Sequence, residues 1–361
     1  MEGDGVRVAV LGLLLLPGLL LTAQAAAAQP EQQPKPANPQ VKCRMADPRL
    51  AELSGLVAAG NQWYAVNDGG DRVSVFVLTK DCKVQREIVG QTDPFDVEDL
   101  GRQPDGTFLL GDTGDNELER DTAAVIALTP EGKSTLYRMT YPDGRHDAEA
   151  LLIDAVGQPY VVTKSNVGNA GVYTPVRKLV SPGPTPMKKV ADIKIAATDT
   201  KGGPVPGIIG SRTITGGAVS ADGTVIALRT YTDAYVYGAP DKDLVKALGT
   251  KPVRVPLPNE AQGEAITFEA DGSLVSASEK TGQPIRTIAE AAKLVEPQEP
   301  PPAVESVAPP PGPAATSGRL GDKEGLPVLP AALITFGLVV GVLGFFRWRT
   351  VRARRRMYDR S

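Results

Sequence analysis

The chain has 361 residues, a formal net charge of −3 and 42% hydrophobic residues. Residues 347–361 contain seven Arg and one Asp, a charge of +6, which leaves −9 for the rest of the chain. An acidic body of this kind excludes DNA, RNA and anionic lipid as its partners, because those polyanions attract basic surfaces. The negative charge suits binding of a cation or a cationic ligand, or it serves only to keep the protein soluble.

The N-terminal segment has the composition of a secretion signal. Residues 8–21 form an apolar run, and small residues, mostly Ala, follow at 23–28. An apolar run of this length before small residues is typical of a cleaved signal peptide. We predict a signal peptide at residues 1–28, with a retained N-terminal anchor as the alternative. The Pro- and Gln-rich residues 29–40 are predicted to be a flexible lead-in.

A short motif recurs through residues 41–295, roughly every 45 to 70 residues. Each copy leads through a turn that contains Gly into a second apolar strand. Short strands repeated at this period predict an all-β fold, a β-propeller with five blades favoured and six possible. The five copies are Ser54-Gly55-Leu56, Glu98-Asp99-Leu100, Glu149-Ala150-Leu151, Gly217-Ala218-Val219 and Glu264-Ala265-Ile266.

The remaining strands follow from β-branched and apolar runs between turn residues. Equivalent hairpin turns between the first two strands of each blade are marked by Gly60, Gly106, Gly157, Gly223 and Gly272. A sixth, degenerate blade between residues 168 and 211 is the alternative. Predicted third and fourth strands lie at 73–78 and 84–89, 123–128 and 134–140, 171–173 and 188–195, and 234–237 and 253–257, with a lone third strand at 284–288.

The fifth blade lacks a fourth strand, and residues 41–45 precede the first blade without a partner. We predict that residues 41–45 complete the fifth blade, because a closed ring has no open sheet edges. This arrangement places Cys43 beside Cys82. These two cysteines, the only ones in the chain, are predicted to form a disulfide in an oxidising compartment, with two free thiols as the alternative.

Three glutamates, Glu98, Glu149 and Glu264, share one position of the motif, so a ring would hold them at similar height around its axis. Crowded carboxylates raise one another's pKa unless a cation neutralises them, and Ca²⁺ takes six to eight oxygen ligands. We therefore predict an acidic axial site that calcium can occupy. A girdle of ion pairs holding the blades in register is the alternative. Candidate binding residues are Asp68, Asp71, Glu98, Asp99, Asp112, Asp115, Asp147, Glu149, Lys164, Arg229 and Glu264.

His146 is the only histidine and stands next to Asp147. It is a candidate general base or metal ligand, with a hydrogen-bonded loop residue as the alternative. Catalytic candidates are therefore His146 and the three motif glutamates, Glu98, Glu149 and Glu264. The sequence has no Gly-x-Ser-x-Gly elbow, P-loop or His-Glu-x-x-His, so hydrolases and NTPases of those types lack support.

Several acidic segments look like those of a known group of proteins. The segments at residues 66–71, 97–100, 111–116 and 141–154 resemble those of secreted actinobacterial β-propeller proteins of unassigned function. The resemblance covers most of residues 51–279 and implies a propeller with an acidic central face. The pattern is similar, more distantly, to phytase-like and SdiA-regulated propellers. That likeness implies calcium-dependent phosphomonoester hydrolysis at a site lined by carboxylates, Lys and Arg.

The C-terminal part has the sequence features of a membrane anchor. The Pro-rich residues 296–325 favour extended polyproline II geometry and are predicted to be a stiff linker. Residues 326–346 are predicted to be a transmembrane helix, since 328–346 carry no charge and are long enough to span a bilayer. The basic residues 347–361 are predicted to be cytoplasmic under the positive-inside rule. The ectodomain then lies outside the cell membrane.

These expectations combine into one functional prediction. The chain is a membrane-anchored extracellular β-propeller that acts as a binding or scaffold module for an extracellular ligand or protein of unknown identity. Its axial site is acidic and suited to calcium. The alternative is a calcium-dependent, phytase-like phosphoesterase or another extracellular hydrolase.

Overall fold

A computed structural model describes residues 35–295 of the chain. The described residues all belong to one compact unit. The predicted signal peptide, Pro-rich linker, transmembrane helix and basic tail lie outside the described residues. Within residues 35–295, no helix is long and apolar enough to cross a membrane.

The described chain is built from twenty β-strands and very little helix. In chain order the strands are β1 (Gln40–Arg44), β2 (Leu53–Ala59), β3 (Gln62–Asn67), β4 (Ser74–Thr79), β5 (Val84–Val89), β6 (Val97–Arg102), β7 (Phe108–Asp112), β8 (Ala123–Leu128), β9 (Ser134–Thr140), β10 (Ala148–Ile153), β11 (Pro159–Thr163), β12 (Asn169–Pro175), β13 (Thr185–Lys194), β14 (Ile214–Val219), β15 (Val225–Thr230), β16 (Asp233–Gly238), β17 (Val253–Pro256), β18 (Gly263–Phe268), β19 (Leu274–Ser278) and β20 (Pro284–Ile288). Two short α-helices are α1 (Gly207–Gly210) and α2 (Leu244–Leu248), and 3₁₀ turns span Pro48–Leu50 and Ala291–Val295.

The strands form five four-stranded antiparallel blades. Blades 1 to 4 take their strands in chain order, β2–β5, β6–β9, β10–β13 and β14–β17, whereas blade 5 has the order β18-β19-β20-β1. The first strands of successive blades contact one another, and β18 contacts β2, so the inner strands close into a ring. The chain is therefore an all-β propeller with five blades. Residues 168–211 supply outer strands of blade 3 and α1 rather than a sixth blade.

Two contacts outside the inner ring tie blades together. The outer strands β9 and β13 pair in parallel at Met139 and Thr185, which fuses blades 2 and 3 into one eight-stranded sheet. Strand β1 pairs with β20 and completes blade 5, as predicted. A disulfide joins Cys43 on β1 to Cys82 in the β4–β5 turn of blade 1. This bond confirms the predicted pairing, and closing a loop of this length stabilises a domain by roughly 3–4 kcal/mol.

The hydrophobic core is divided among the five interfaces between blades. One buried cluster fills each interface, and the cluster between blades 5 and 1 contains the fully buried Trp63. The Trp63 indole N–H donates to Glu269 of blade 5 at 2.7 Å. Turns predicted from Gly are also present, since all five glycines between first and second strands have φ between 57° and 92°. Core packing thus fixes the blades and leaves the inner strand ends for other side chains.

Every inner strand begins with a β-bulge, which sets the height of the axial residues. The pairing register shifts at the second residue of each inner strand. In blade 4 that residue is Thr215, so the fourth copy of the motif is Thr215-Gly216-Gly217. The predicted copy, Gly217-Ala218-Val219, was wrong by two residues. A shift of two keeps every side chain on the same face of a strand, so the apolar pattern could not reveal it.

Candidate axial cation site

The bulged residues form the first of two rings of side chains around the axis. Glu98, Glu149 and Glu264 supply carboxylates, whereas Ser54 and Thr215 supply hydroxyls. Ser54 donates to the carbonyl of Glu98 at 2.5 Å, and Thr215 donates to the carbonyl of Gly263 at 2.8 Å. The two hydroxyls therefore join neighbouring blades, while the three glutamates remain for the axial site.

The second ring comes from the ends of the second strands. In each blade, the residue directly after the bulge pairs with a residue of the second strand, and the ring member lies two residues further along the chain. In blade 1, for example, Gly55 pairs with Val66, and the ring member is Asp68. The members of the ring are Asp68, Thr113, Lys164, Tyr231 and Glu279. Thr113 donates to the Ala148 carbonyl at 2.7 Å and joins blades 2 and 3. The other four contribute two carboxylates, one ammonium group and one phenol to the axial site.

A first carboxylate triad lies between blades 1 and 2. Ligand oxygens of Asp68, Asp96 and Glu98 all lie within 4.8 Å of one another. Glu98 is 5% exposed, and the charges of Glu149, Asp96 and Asp68 add to its burial in raising the pKa of its carboxyl group. Gly114 covers this triad closely, because a Cβ there would clash with Glu98 Oε1 and Asp96 Oδ2. A buried carboxylate crowded by other carboxylates is stabilised by a nearby cation or by taking up a proton.

A second triad lies between blades 2 and 3 and shares Glu98. Ligand oxygens of Glu98, Asp147 and Glu149 again lie within 4.8 Å of one another. Here the ammonium group of Lys164 is present, in contact with Glu149 Oε1 and 3.6 Å from Asp147 Oδ2. The second triad therefore contains its own cation, which the first triad lacks.

Blades 4 and 5 complete the acidic surroundings. Glu264 and Glu279 of blade 5 are hydrogen-bonded through their carboxyl groups. Gln262 also donates to Glu264 Oε1, at 3.1 Å. Tyr231 of blade 4 lies close enough to Lys164 and Glu149 to interact electrostatically with both, and burial raises the pKa of its phenol.

Burial dominates the electrostatics of these carboxyl groups. Burial and the neighbouring Asp96 together raise the pKa of Asp68 to about 9. Burial likewise raises the pKa of Glu149 to about 8 against the opposing effect of Lys164, and that of Glu279 to about 7. The pKa of Glu98 lies well above its usual value through burial and the charge of Glu149. Without a cation, the site therefore holds protons that a divalent ion would displace.

The structure brings six of the predicted binding residues together in this cluster. They are Asp68, Glu98, Asp147, Glu149, Lys164 and Glu264. The remaining predicted binding residues lie outside this cluster and have other surroundings. Asp71 points to solvent with 86% of its side chain exposed and lies 3.7 Å from Arg72.

Asp99 is buried and hydrogen-bonded to the backbone of three inner strands. Its two oxygens accept backbone N–H groups of Leu100 and Leu151 at 2.8 Å and of Gly217 at 3.1 Å. These donors belong to blades 2, 3 and 4. Burial raises the pKa of Asp99, while the three N–H groups lower it. This carboxyl group links three inner strands rather than facing the triads.

Asp112 and Asp115 shape the loop after β7. Asp112 is paired with Arg120 at 3.1 Å and accepts the N–H of Asp96 at 2.9 Å. Asp115 accepts the N–H groups of Glu119 at 2.8 Å and Arg120 at 3.0 Å. Both carboxylates therefore support the neighbourhood of the first triad without contributing an oxygen to it.

Arg229 and His146 also lie outside the cluster. Arg229 is fully buried and pairs with Glu260 at 2.7 Å between blades 4 and 5. It pairs across the strands with Gly216, so it stands two residues before the ring position that Lys164 holds in blade 3. His146 bonds to Asp143 at 3.0 Å and to the Tyr173 hydroxyl at 3.2 Å. The cluster therefore offers oxygen ligands and Lys164, without the histidine.

Three members of the cluster were not among the predicted binding residues: Asp96, Tyr231 and Glu279. The signal that finds them is the bulge register. Blades 2 and 3 share an Asp-x-Glu pattern, Asp96-Val97-Glu98 and Asp147-Ala148-Glu149, and the second ring aligns Tyr231 and Glu279 with Lys164. Arrangements of crowded, buried carboxylates such as this one can hold a metal ion.

No protein-family model matches the chain, and no curated protein sequence matches it. The resemblance to secreted actinobacterial propellers therefore stays a prediction at the level of sequence. The solved structures that the chain resembles include the following three, each with low sequence identity and a low TM-score.

The first of these is the X-ray structure of a proposed gluconolactonase, with 14% identity and a TM-score of 0.36 over 63% of this chain and 70% of that chain. The second is PQQ-bound aldose sugar dehydrogenase from Streptomyces coelicolor, with 10% identity and a TM-score of 0.38 over 71% and 99%. The third is a nidogen/laminin complex, with 14% identity and a TM-score of 0.37 over 63% and 72%. These values carry no argument about activity, and the propeller assignment rests on the strand order.

Proposed function

We propose that this chain is a membrane-anchored extracellular binding module whose propeller carries a calcium ion at the axial face. The observation that carries the proposal is the first triad, in which Asp68, Asp96 and the buried Glu98 converge and form no ion pair with any residue between 35 and 295. In this proposal the helix predicted at residues 326–346 anchors the chain, and the basic tail is cytoplasmic. The partner is an extracellular ligand or protein that contacts the axial face.

The donor set favours calcium over other ions. The triad offers carboxylate oxygens and no nitrogen or sulfur, which suits a hard cation. Ca²⁺ binds oxygens at 2.3–2.6 Å, so two oxygens on one ion lie at most about 5 Å apart, which agrees with the spread of the triad. Mg²⁺ demands a tighter octahedron and usually a phosphate ligand. Three carboxylates leave coordination positions for water or for an oxygen of the partner.

Binding is favoured over catalysis by the surface around the triads. Four exposed apolar side chains, three on loops and one in α1, lie at the end where the inner strands begin, the same end as the carboxylates. Contiguous exposed apolar patches mark interaction sites, and in this proposal the four side chains contribute to the face that contacts the partner. These side chains and their exposed fractions are Phe95 at 52%, Leu118 at 49%, Val167 at 65% and Ile208 at 62%.

A calcium-dependent hydrolase is the second candidate, favoured by one observation. Burial raises the pKa of Glu149 to about 8, which suits a group that transfers protons near neutral pH. A panel of phosphomonoester and other ester substrates distinguishes the two proposals. The hydrolase is supported if the wild-type chain turns over a substrate, if EDTA removes and added calcium restores that activity, and if Glu149→Gln abolishes it. Inactivity on the whole panel, together with calcium binding, supports the binding module.

The calcium proposal is tested by thermal unfolding of the full-length chain in EDTA and in excess Ca²⁺. Calcium at 100 times its Kd stabilises a folded domain by about 2.7 kcal/mol. For a domain of this size, that corresponds to a rise in Tm of about 5–10 °C. Asp68→Asn should remove the rise, whereas the control Asp71→Asn, in the same loop but exposed, should keep it. An unchanged Tm in the wild-type chain rejects the calcium site.

A further inference from the structure

The axial cluster contains two triads built in the same way, from one Asp and one Glu at the start of an inner strand plus one further carboxylate. The pairs are Asp96-x-Glu98 from blade 2 and Asp147-x-Glu149 from blade 3. Glu98 belongs to both triads, so its carboxylate lies between them. A carboxylate shared in this way is the usual bridge of sites that hold two metal ions about 3.5–4 Å apart.

We infer that the cluster provides two cation positions and that the ammonium group of Lys164 permanently fills the second one. The wild-type chain then takes a single divalent ion, at the first triad, and loss of the Lys164 charge opens a second metal position at Glu98, Asp147 and Glu149. The inference rests on the proposed function, since the first position is the calcium site. It adds that this lysine determines the number of ions bound.

The contacts of Lys164 are those of a bound cation. Its Nζ contacts Glu149 Oε1, lies 3.6 Å from Asp147 Oδ2 and donates to Asn116 Oδ1 at 3.3 Å. Asp147 is held in place for this role, because its other oxygen accepts the N–H of Asp115 at 2.8 Å. Two oxygen atoms from the start of β10 and one from the loop after β7 thus lie around the ammonium group.

The ring position of Lys164 explains why the two triads differ. In blade 1 the equivalent position is Asp68, which adds a carboxylate to the first triad. In blade 3 it is Lys164, which adds a positive charge to the second. Among the five members of that ring, Lys164 is the only cation, with Thr113, Tyr231 and Glu279 in the other blades. One residue per blade therefore decides whether a triad needs an external ion.

Removing the lysine leaves Asp147 and Glu149 as buried carboxylates without a counter-charge, and buried charges that lose their partner are strongly destabilising. A divalent ion at the same position restores the missing charge. The Lys164→Met variant is therefore expected to be less stable than the wild-type chain in EDTA. In saturating Ca²⁺ it should regain most of the difference.

Calcium titration calorimetry of the full-length chain tests the inference through stoichiometry. We expect one ion per chain for the wild type, two for Lys164→Met and one for the charge-retaining control Lys164→Arg. Circular dichroism in Ca²⁺ checks that each variant is folded. If the Met variant does not fold, Lys164→Gln gives the same readout, because it keeps a donor for Glu149 but no charge.

The outcomes separate this inference from the proposed function. One ion in both the wild type and Lys164→Met overturns the inference and leaves the calcium site standing. A wild-type chain that takes no ion rejects the proposed function. In that case a single ion gained by Lys164→Met still supports the role of Lys164 as a resident cation, and no gain rejects that role too.

Discussion

The Arg229–Glu260 pair between blades 4 and 5 and the triad of Asp68, Asp96 and Glu98 are both buried groups of charges in one propeller. Arg229 has a carboxylate partner at 2.7 Å, and its guanidinium also donates to the carbonyls of blades 4 and 5, Thr230, Ala265 and Ala277. Ser276 donates to the other oxygen of Glu260 at 2.5 Å. The described residues around the triad provide no comparable set of donors, and Asp68 and Asp96 are hydrogen-bonded to each other through their carboxyl groups. Complete pairing points to a structural role, and incomplete pairing points to a ligand.

The largest expected effect comes from breaking the complete pair. Arg229→Met should lower the free energy of unfolding by about 3–5 kcal/mol, because it leaves Glu260 as an unpaired buried charge. The loss should be the same with and without calcium, as measured by urea unfolding. The double variant Arg229→Met, Glu260→Gln should recover part of it. A loss below about 1 kcal/mol would show that the pair is not the structural element described here.

A substitution in the triad should have the opposite effect on stability. Glu98→Gln removes a buried, mutually repelling carboxylate from both triads, so stability in EDTA at pH 8 should be unchanged or higher. The calcium-induced stabilisation of about 2.7 kcal/mol should disappear. Thermal unfolding with and without Ca²⁺ measures both quantities. A strong loss of stability in EDTA, like that of Arg229→Met, would remove the distinction between the two regions.

Stability without metal should depend on pH through the same carboxyl groups. Burial raises the pKa of Asp68 to about 9, of Glu149 to about 8 and of Glu279 to about 7, above the ordinary values of 3.8 for Asp and 4.5 for Glu. Because each folded-state pKa is raised, the stabilising contribution is complete below the ordinary pKa and is lost as pH rises through the folded value.

In EDTA, the Tm should therefore fall between pH 5 and pH 9, and the rise caused by calcium should grow over the same interval. Calcium binding at pH 7 should release protons, which calorimetry in buffers of different ionisation enthalpy detects. Glu98→Gln should flatten the difference between the calcium and EDTA curves. A calcium effect that shrinks as pH rises would contradict the account.

The smallest expected effect comes from the glycine that covers the first triad. A Cβ on Gly114 clashes with the carboxylates of Glu98 and Asp96, so Gly114→Ala should push them apart and weaken calcium binding about tenfold, or about 1.4 kcal/mol. Gly207→Ala is the matched control, since a Cβ at Gly207 meets nothing within 4 Å. Calcium titration of both variants measures the effect. Equal affinities would place the ion elsewhere.

Much of the fold could be predicted because strands carry strong local signals. Alternating apolar residues and Gly turns located the strands of all five blades, and spacing alone placed residues 41–45 beside β20 with Cys43 near Cys82. These features depend on short-range patterns, which a single sequence displays. The signal peptide, membrane helix and localisation remain predictions, since they fall outside residues 35–295.

The site was harder to predict because it depends on register. A bulge at each inner strand changes which residue faces the axis, and no local pattern distinguishes Glu98 from its neighbour Asp99. In blade 4 the true copy, Thr215-Gly216-Gly217, has no large apolar residue, so the predicted copy of the motif started two residues too late. For the same reason Arg229 was predicted at the second-ring position that Tyr231 holds. Glu98 and Glu149 were predicted because each begins its copy of the repeated motif, Glu98-Asp99-Leu100 and Glu149-Ala150-Leu151.

The most direct test of the account is calcium titration of the wild-type full-length chain beside Glu98→Gln, the one change that affects both triads. The account predicts one bound ion in the wild-type chain and none in the variant, with both chains folded. Absence of binding in the wild-type chain, or equal binding in the two chains, would contradict the assignment of the axial carboxylates as the cation site.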